Sequence, residues 1–193
     1  THDEACRLLA KHANVQVLSI DYPLAPEHSP EQIVDCCVEA LEWVYNNRKQ
    51  LGIEKDRIAV AGDSAGGNLS AVVSQKTRHT VYAPTAQFLI YPAVDFKSRY
   101  ASYYKCREGL ILTDNDIDHV TEMYVTKHQV ALDDPLVSPI YTQLDDKIAP
   151  AFVMTSAFDL LHDEGQIYTA KLKQAGVKTE YHEVPDQTHG FIN

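Results

Sequence analysis

The fold of this chain is decided by one stretch, Arg57-Ile58-Ala59-Val60-Ala61-Gly62-Asp63-Ser64-Ala65-Gly66-Gly67-Asn68-Leu69-Ser70. Its apolar run from Ile58 to Ala61 predicts a buried strand, and the small residues from Ala65 to Val72 predict the start of a helix. Between the two lies Ser64, with one glycine two residues before it and another two residues after it. A backbone that turns sharply from strand to helix, and still presents a side chain outwards, must be strained at that serine.

This G-x-S-x-G spacing is typical of a nucleophile elbow. Side chains at positions 62 and 66 are expected to collide in so tight a turn, and glycine avoids the collision. The helix start behind Ser64 directs free backbone N–H groups towards whatever the serine attacks. An ordinary glycine-rich turn is the alternative interpretation. A phosphate-binding loop is disfavoured because G-x-x-x-x-G-K-[ST] and G-x-G-x-x-G are both absent.

The composition is that of one soluble globular domain, since 193 residues can bury about two thirds of their unfolded surface. With 17 Lys and Arg against 27 Asp and Glu, the formal net charge of −10 disfavours nucleic acid and anionic lipid as partners. No apolar run approaches the ~18 residues of a membrane span. The four cysteines form no C-x-x-C pair, so we predict no metal site, no disulfide framework and a reducing, cytoplasmic location. They are Cys6, Cys36, Cys37 and Cys106.

The first part of the chain predicts a helix, a strand, a loop and a second helix. Thr1 to Ala13 is predicted as a helix in which Thr1 is the N-cap and Glu4 completes a capping box. Val15 to Ile20 predicts a buried strand, and a loop with three prolines follows it. Glu31 to Leu51 predicts a long amphipathic helix that ends at Gly52. Its apolar stripe comprises Val34, Cys37, Val38, Leu41 and Tyr45.

After the elbow, strands and helices alternate with one interruption. The interruption is Asp95 to Pro150, a polar, tyrosine-rich insertion with one helix from about Asp114 to Thr126, which suggests a cap. The remaining predicted elements are strand Ala86–Ile90, strand Ala151–Ala157, helix Glu164–Gln174 and strand Lys178–Val184. Nearly apolar strands alternating with helices indicate an α/β fold of three layers, a mostly parallel sheet with helices on both faces. Active residues of such folds collect at the carboxyl ends of the strands.

A serine hydroxyl needs a base within hydrogen-bond reach, and the chain contains nine histidines. His189 is the candidate, because it alone follows a predicted strand in a polar turn and precedes a glycine. His182 lies inside that strand, where it packs or faces solvent. His28 lies in the proline-rich loop, where a structural role is favoured, and His162 begins a helix.

The base must itself be oriented by a carboxylate at a strand end. Asp159 directly follows the strand that begins at Ala151 and is the favoured candidate. Asp163 and Glu164 lie in the next helical turn, where the helix dipole alone explains acidic residues. Asp95 is the main alternative. The order serine, aspartate, histidine is the one found in α/β-hydrolases, and a Cys–His pair is disfavoured because no cysteine occupies an elbow.

Four motifs carry a resemblance to the hormone-sensitive-lipase-like branch of the α/β-hydrolases, the bacterial family IV esterases. They are Asp21-Tyr22 with Leu24-Ala25-Pro26-Glu27-His28, Gly62-Asp63-Ser64-Ala65-Gly66-Gly67-Asn68-Leu69, Asp159-Leu160-Leu161-His162-Asp163-Glu164-Gly165, and His189-Gly190-Phe191. The resemblance implies that Ser64 is the nucleophile, Asp159 the acid and His189 the base, and that Ala65 supplies one oxyanion N–H. Pro23 and Leu160 depart from the family pattern without touching this chemistry.

The resemblance also implies missing parts. The family's His-Gly-Gly-Gly loop, which supplies the other oxyanion donors, is expected just before Thr1. The strand carrying that loop lies between the Val15–Ile20 strand and the elbow strand in the family's sheet. We therefore expect residues 1–193 to be a single α/β-hydrolase domain with 95–150 as a cap-like insertion, lacking the N-terminal strands and the final helix. Such a piece on its own is expected to be unstable and nearly inactive.

The resemblance implies a carboxylic ester hydrolase that acts on short- to medium-chain acyl esters through a Ser-His-Asp triad and an acyl-enzyme, without a cofactor or metal. Its partner is then a small-molecule ester. The tyrosines of the insertion either line an acyl pocket or form an exposed or intersubunit surface, as in a homodimer, and the sequence leaves both open. The alternatives are a non-catalytic ligand-binding relative on the same fold, and an amidase or peptidase.

Overall fold

The centre of the molecule is a sheet of four parallel strands in the order β1-β2-β3-β4. The computed structural model describes residues 2–54, 57–108 and 110–192. The strands are β1 (Ala59–Asp63), β2 (Ala86–Ile90), β3 (Ala151–Phe158) and β4 (Thr179–Thr188). Asp63 is in register with Ile90, and Phe158 with Thr188, so the carboxyl ends of all four strands lie along one edge of the sheet.

Helices connect and flank these strands. The described helices are α1 (Asp3–Ala13), α2 (Pro30–Asn47), α3 (Ala65–Thr77), α4 (Ala101–Cys106), α5 (Asp114–Val120) and α6 (His162–Gln174). Single helical turns also occur at Thr121–Val125, Thr126–His128 and Pro139–Tyr141. Among the described helices, none combines the length and the apolar character needed to cross a membrane.

The main core lies where α3 and α6 cover one face of the sheet. Leu89 of β2 and Val153 of β3 are adjacent in register and fully buried, and they pack with Tyr168 and Leu172 of α6. A second cluster joins α2 to α3, and includes Val34, Cys37 and Leu41 from the predicted apolar stripe. Burial of this apolar surface is the main stabilising contribution to the fold. Tertiary packing thus holds the elbow helix between the sheet and α2.

The other face of the sheet is less covered in the described part of the chain. Phe88 of β2 is 43% exposed there, and its ring lies 6.1 Å from that of Phe152 on β3. In the described part of the chain, α2, α3 and α6 all belong to the core on the first face, and α1 has no buried residue. The helical layer is therefore present on one side of these four strands.

The predicted strand Val15–Ile20 is wrong. These residues form no strand, and Val15 and Leu18 are exposed. The physical reason is that an isolated strand leaves its N–H and C=O groups unpaired, and β1 pairs with β2 and with no other strand in the described ranges. The neighbour that the resemblance placed between this segment and β1 is absent from those ranges. Apolar content alone therefore did not produce a strand here.

The helix ends follow local chemistry only in part. At α2, Ser29 is the N-cap, and its hydroxyl accepts from the Gln32 N–H while Gln32 reciprocates in a capping box. That helix ends at Asn47, four residues before the predicted end, and Gly52 has a positive φ of 69°. At α1 the N-cap is His2, with no side-chain cap bond. The predicted capping box involves Thr1, which lies outside the described residues, so it stays a prediction.

The insertion 95–150 contains more helix than predicted, in shorter pieces. The six-residue helix α4 was not predicted, because it is too short to show an amphipathic period. The predicted helix Asp114–Thr126 begins at Asp114 behind the N-cap Thr113, but α5 proper ends at Val120 and widens into a π-turn over Thr121–Val125. The Thr121 hydroxyl donates to the Ile117 carbonyl at 2.7 Å, a side-chain bond that competes with the regular helix.

Candidate active site

Ser64 lies at the junction of β1 and α3, in the backbone conformation that the motif predicts. Its φ is 51° and its ψ is −114°, a combination that residues with a side chain rarely adopt. The Ser64 N–H donates to the Ile90 carbonyl at 2.9 Å, and the Ser64 carbonyl accepts from the Asn68 N–H at 3.0 Å. These bonds tie the turn to β2 on one side and to the first turn of α3 on the other, so the strain is held by the surrounding fold.

The glycines of the elbow have different reasons to be glycine. A Cβ built on Gly62 would overlap the backbone carbonyl of Gly66, and one on Gly67 would lie 2.8 Å from the Cβ of Pro92. A Cβ on Gly66 would meet nothing within 4 Å. The expectation that a side chain at 66 collides is therefore wrong. It is the Gly66 backbone that approaches position 62, and Gly67 is the second position that the packing requires to be small.

Replacing Gly62 by alanine is expected to destabilise the fold by about 3 kcal/mol, because the carbonyl of Gly66 cannot move without distorting the elbow. Gly67→Ala is expected to cost about 1–3 kcal/mol, since Pro92 must shift. Gly66→Ala is the matched control, with an expected change of less than about 1 kcal/mol. Denaturant unfolding measures all three. A Gly66→Ala variant as unstable as Gly62→Ala would contradict this account of the elbow.

His189 follows directly after β4 and reaches back to Ser64. Its Nε2 lies 2.8 Å from the Ser64 Oγ, and its Nδ1 lies 2.7 Å from Oδ2 of Asp159. The residue is 7% exposed. One imidazole thus contacts a hydroxyl through one nitrogen and a carboxylate through the other, which is the geometry that a general base needs.

Asp159 lies in the turn between β3 and α6, and its side chain has no exposed surface. Its Oδ1 accepts a hydrogen bond from the Leu161 N–H at 2.9 Å, which leaves Oδ2 directed at His189. The Asp159 carbonyl also accepts from the His162 N–H at 3.2 Å. The carboxylate is therefore held by its own turn in an orientation that favours the N–H of the imidazole at Nδ1.

Tyr91 is a site residue that the sequence analysis did not identify. Its ring centroid lies 4.6 Å from that of His189 and 5.2 Å from that of Phe191, and the residue is 1% exposed. Its hydroxyl approaches Oδ2 of Asp63 at 3.4 Å. Burial, with the nearby Asp63 carboxylate, raises the pKa of Tyr91 well above its usual value, so the ring stays neutral beside the imidazole. The signal available was its position one residue after a predicted strand.

Asp95, the alternative acid, is engaged elsewhere. Its Oδ2 accepts from the hydroxyls of Tyr100 at 2.6 Å and Tyr141 at 3.0 Å, and its Oδ1 accepts from the N–H groups of Lys97 and Ser98. Burial raises its pKa, but these hydrogen bonds outweigh burial, and the pKa of Asp95 lies below its usual range. The Asp95 carboxylate therefore fixes the loop after β2, and the Nδ1 of His189 contacts Asp159 instead.

The other candidates also have defined places. Ala65 is the first residue of α3, and the first N–H groups of a helix have no intrahelical partner, so its N–H is available next to the Ser64 hydroxyl.

Two of the remaining histidines discussed above lie in the elements predicted for them. His182 is exposed on β4, which is one of the two alternatives predicted for it, and His28 lies in the proline-rich loop. Within the described ranges, no three His, Cys, Asp or Glu side chains come close enough together to hold a metal ion.

Glu164 is buried in the first turn of α6, where its Oε1 accepts from the N–H groups of Val94 at 2.7 Å and Asp95 at 3.2 Å. Burial raises the pKa of Glu164 well above its usual value, and the nearby Asp95 and Asp159 carboxylates act in the same direction. Glu164 therefore anchors the loop after β2 to the turn that carries Asp159. The sequence analysis explained the acidic residue at position 164 by the helix dipole alone. Anchoring this loop is a further role of Glu164.

Comparisons with known proteins identify the family of the chain. A family model described as the alpha/beta hydrolase fold matches residues 1–193. The chain is 39% identical over 199 residues to the carboxylic ester hydrolase LipN of Mycobacterium tuberculosis, covering 100% of this chain and 53% of LipN. It is 35% identical over 193 residues to an arylesterase of Saccharolobus solfataricus, covering 100% of this chain and 63% of the arylesterase.

A solved structure, the hyperthermophilic esterase from the archaeon Pyrobaculum calidifontis, superposes with a TM-score of 0.93 at 38% identity. The match covers 98% of this chain and 61% of that one. The chain thus spans between about half and two thirds of the length of the relatives it matches.

Proposed function

Because the chain belongs to the α/β-hydrolase family, we propose that it is a carboxylic ester hydrolase in which Ser64 is the nucleophile, His189 the general base and Asp159 the orienting acid. The observation that carries this proposal is the continuous chain of hydrogen bonds from Ser64 through His189 to Asp159, which starts at a serine of positive φ. Relatives named as an ester hydrolase and an arylesterase support esters as the substrate class.

In the acylation step, Nε2 of His189 accepts the proton of the Ser64 hydroxyl as Oγ attacks the ester carbonyl carbon. The resulting imidazolium is stabilised by the buried Asp159 carboxylate at Nδ1. The developing oxyanion accepts a hydrogen bond from the Ala65 N–H at the start of α3, where the helix dipole also favours negative charge. The tetrahedral intermediate collapses when the imidazolium protonates the leaving alkoxide, and the acyl group remains on Ser64.

In the deacylation step, His189 removes a proton from a water molecule, which attacks the acyl carbon. The second tetrahedral intermediate then expels Ser64 Oγ, which takes its proton back from the imidazolium, and the carboxylic acid leaves. All groups used in this cycle belong to the protein or to the substrate and water. The cycle requires neither a metal nor a cofactor.

We assign residues 1–193 to one domain in which 95–150 is a cap-like insertion. The Ser102 hydroxyl of α4 donates to the Leu160 carbonyl at 2.9 Å, so this segment rests directly on the turn that carries Asp159.

The resemblance to family IV esterases favours short- to medium-chain acyl groups as substrates. The hydroxyl of Tyr100 donates a hydrogen bond to Asp95, whereas Tyr104 is 62% exposed. Of these two tyrosines, Tyr104 is therefore the one available for a homodimer contact.

A cytoplasmic location is part of the same proposal. All four cysteines are free thiols, and Cys37 and Cys106 are buried. Burial raises the pKa of Cys37 to about 11, so that thiol stays protonated and unreactive at neutral pH. The net charge of −10 continues to disfavour nucleic acid as a partner. The partner proposed here is a small ester.

A series of p-nitrophenyl esters, from acetate to palmitate, is given to the complete parent protein that the resemblance implies, and it tests the substrate class and the acyl-chain preference together. The same complete protein carries every variant assayed below. We expect turnover of the short and medium chains and a steep fall towards palmitate. The matched p-nitroanilides are the control, and we expect them to stay intact because the amide leaving group is far poorer. Hydrolysis of the anilides at similar rates would favour an amidase. Saturable ester binding without release of p-nitrophenol would favour a non-catalytic relative.

A further inference from the structure

A second histidine, His162, lies between two carboxylates beside the candidate active site. It is the first residue of α6, and its side chain is 15% exposed. Its Nδ1 lies 2.9 Å from Oδ1 of Asp163, and its Nε2 lies 2.9 Å from Oε2 of Glu183. A carboxylate only accepts hydrogen bonds and a neutral imidazole has one N–H, so both contacts are hydrogen bonds only when the ring is an imidazolium.

The two contacts join the elements that carry the acid and the base. The His162 N–H donates to the Asp159 carbonyl at 3.2 Å, so His162 is part of the turn that holds the acid. Glu183 belongs to β4, the strand that leads directly to His189. The pair His162–Glu183 therefore fastens the Asp159 turn to the His189 strand near the point where the two side chains must meet.

The insertion is attached to the same cluster. Oδ2 of Asp163 accepts from the Ser102 N–H of α4 at 2.8 Å, while its Oδ1 faces His162. The neighbouring Cys106 of α4 adds no charge, because burial raises the pKa of its thiol. The charged groups at the His162 ring are thus Asp163 from α6 and Glu183 from β4.

The pKa of His162 and the pKa of Asp163 are shifted in the directions expected for an ion pair. Burial lowers the pKa of His162, but the hydrogen bonds to Asp163 and Glu183 outweigh burial and raise it above the usual 6.5. Burial likewise raises the pKa of Asp163, and His162 with Ser102 outweighs it and lowers that pKa below 3.8. A raised histidine pKa means that the stabilisation is complete below pH 6.5 and is lost as the pH rises through the folded-state value.

We propose that His162 is a positioning residue, which as an imidazolium clamps the turn of Asp159 to the strand of His189 and so sets the alignment of acid and base. The proposal rests on the esterase function proposed above. It identifies a group, outside the triad, whose charge controls how well the triad is formed.

The test compares His162→Gln and His162→Arg with the wild-type protein, in kcat and KM for p-nitrophenyl acetate between pH 6 and pH 9. At pH 6 we expect His162→Gln to lower kcat about tenfold, the size of effect that a small misplacement of catalytic groups produces, with KM within about twofold. His162→Arg keeps a permanent charge. It is expected to restore kcat to within about threefold of wild type and to remove the loss of kcat that follows deprotonation of His162 at higher pH.

The exposed His182 provides the control on the same strand. His182→Gln should leave kcat and its pH profile unchanged. A merely structural His162 would lower thermal stability without altering the pH profile, and would not be rescued in this pH-dependent way by arginine. Wild-type kcat in His162→Gln at pH 6, or an unchanged fall at high pH in His162→Arg, would overturn the proposal.

An NMR titration of the His162 ring in a Ser64→Ala background needs no turnover, and it separates the two proposals. A pKa above 6.5 that falls in Glu183→Gln supports the clamp, and a pKa at or below 6.5 overturns it. A wild-type protein that hydrolyses no ester contradicts the proposed function, whatever this titration gives. Normal ester hydrolysis combined with a low His162 pKa contradicts the clamp alone.

Discussion

Replacing Ser64 by alanine is expected to lower kcat for p-nitrophenyl esters by about 10⁵- to 10⁶-fold. The alanine has no oxygen to form the acyl-enzyme, and His189 is then left beside a methyl group with no proton to accept at Nε2. Residual rate enhancement over water can come from the oxyanion N–H and from substrate binding. Steady-state release of p-nitrophenol measures the loss, and mass spectrometry of a trapped acyl-enzyme reports whether Ser64 carries the acyl group.

The same substitution should leave the fold intact. Alanine tolerates a φ of 51° as well as serine does, and the hydrogen bond of 2.8 Å to His189 is worth only about 1 kcal/mol net. Ser19→Ala, at an exposed serine, is the matched control and should keep full activity. If Ser64→Ala retained turnover while staying folded, Ser64 would not be the nucleophile.

Replacing Asp159 by asparagine is expected to lower kcat about 10⁴-fold, because an amide at this position favours the wrong tautomer of His189. The effect should be smaller than that of Ser64→Ala, since the nucleophile and the base both remain. The pH profile of kcat/KM measures the loss across the titration of the base. KM is expected to change little, because Asp159 is buried behind the imidazole and does not face the substrate.

Asp95→Asn is the matched comparison, since both aspartates are buried and both follow a strand. Asparagine loses part of the hydrogen bonding to Tyr100, Tyr141 and the loop N–H groups, so we expect a loss of about 1–3 kcal/mol in stability. The activity per folded molecule should stay within about tenfold of wild type. A slight movement of the loop is the only expected disturbance of the site, and a small misplacement causes a loss of about this size. A 10⁴-fold loss in Asp95→Asn, with Asp159→Asn active, would reverse the assignment of the acid.

The parts of the fold that sequence reasoning predicted well are those in which local signals agree. The elbow combines a strand, a required glycine at 62 and a helix of small residues, and β2 occurs at the predicted Ala86–Ile90. The prediction that the elbow strand is buried is wrong, because Ala59 and Ala61 of β1 are exposed. Because parallel strands end at one edge, residues directly after predicted strands were expected to meet. The structure indeed brings Asp159 and His189 together with Ser64.

The parts that could not be predicted depend on neighbours distant in sequence. Val15–Ile20 has the composition of a strand but no partner to pair with. The aromatic packing of Tyr91 on His189 and the contact of His162 with Glu183, 21 residues away, exist only once the sheet is assembled. Neither contact leaves a periodic signal, so a sequence pattern cannot distinguish these residues from other side chains near strand ends.

The hydrogen bond between Ser64 and His189 joins residues 125 positions apart in the chain. Closing so long a loop has an entropic cost that is much smaller for contacts between residues close in sequence. Contacts between residues far apart in sequence therefore make folding slow. The nucleophile lies about one third of the way along the sequence, but its base is placed only when β4 docks on the sheet. If the proposed function is correct, ester turnover should therefore return later during refolding than the far-ultraviolet circular dichroism signal, and recovered turnover would mark the completion of folding.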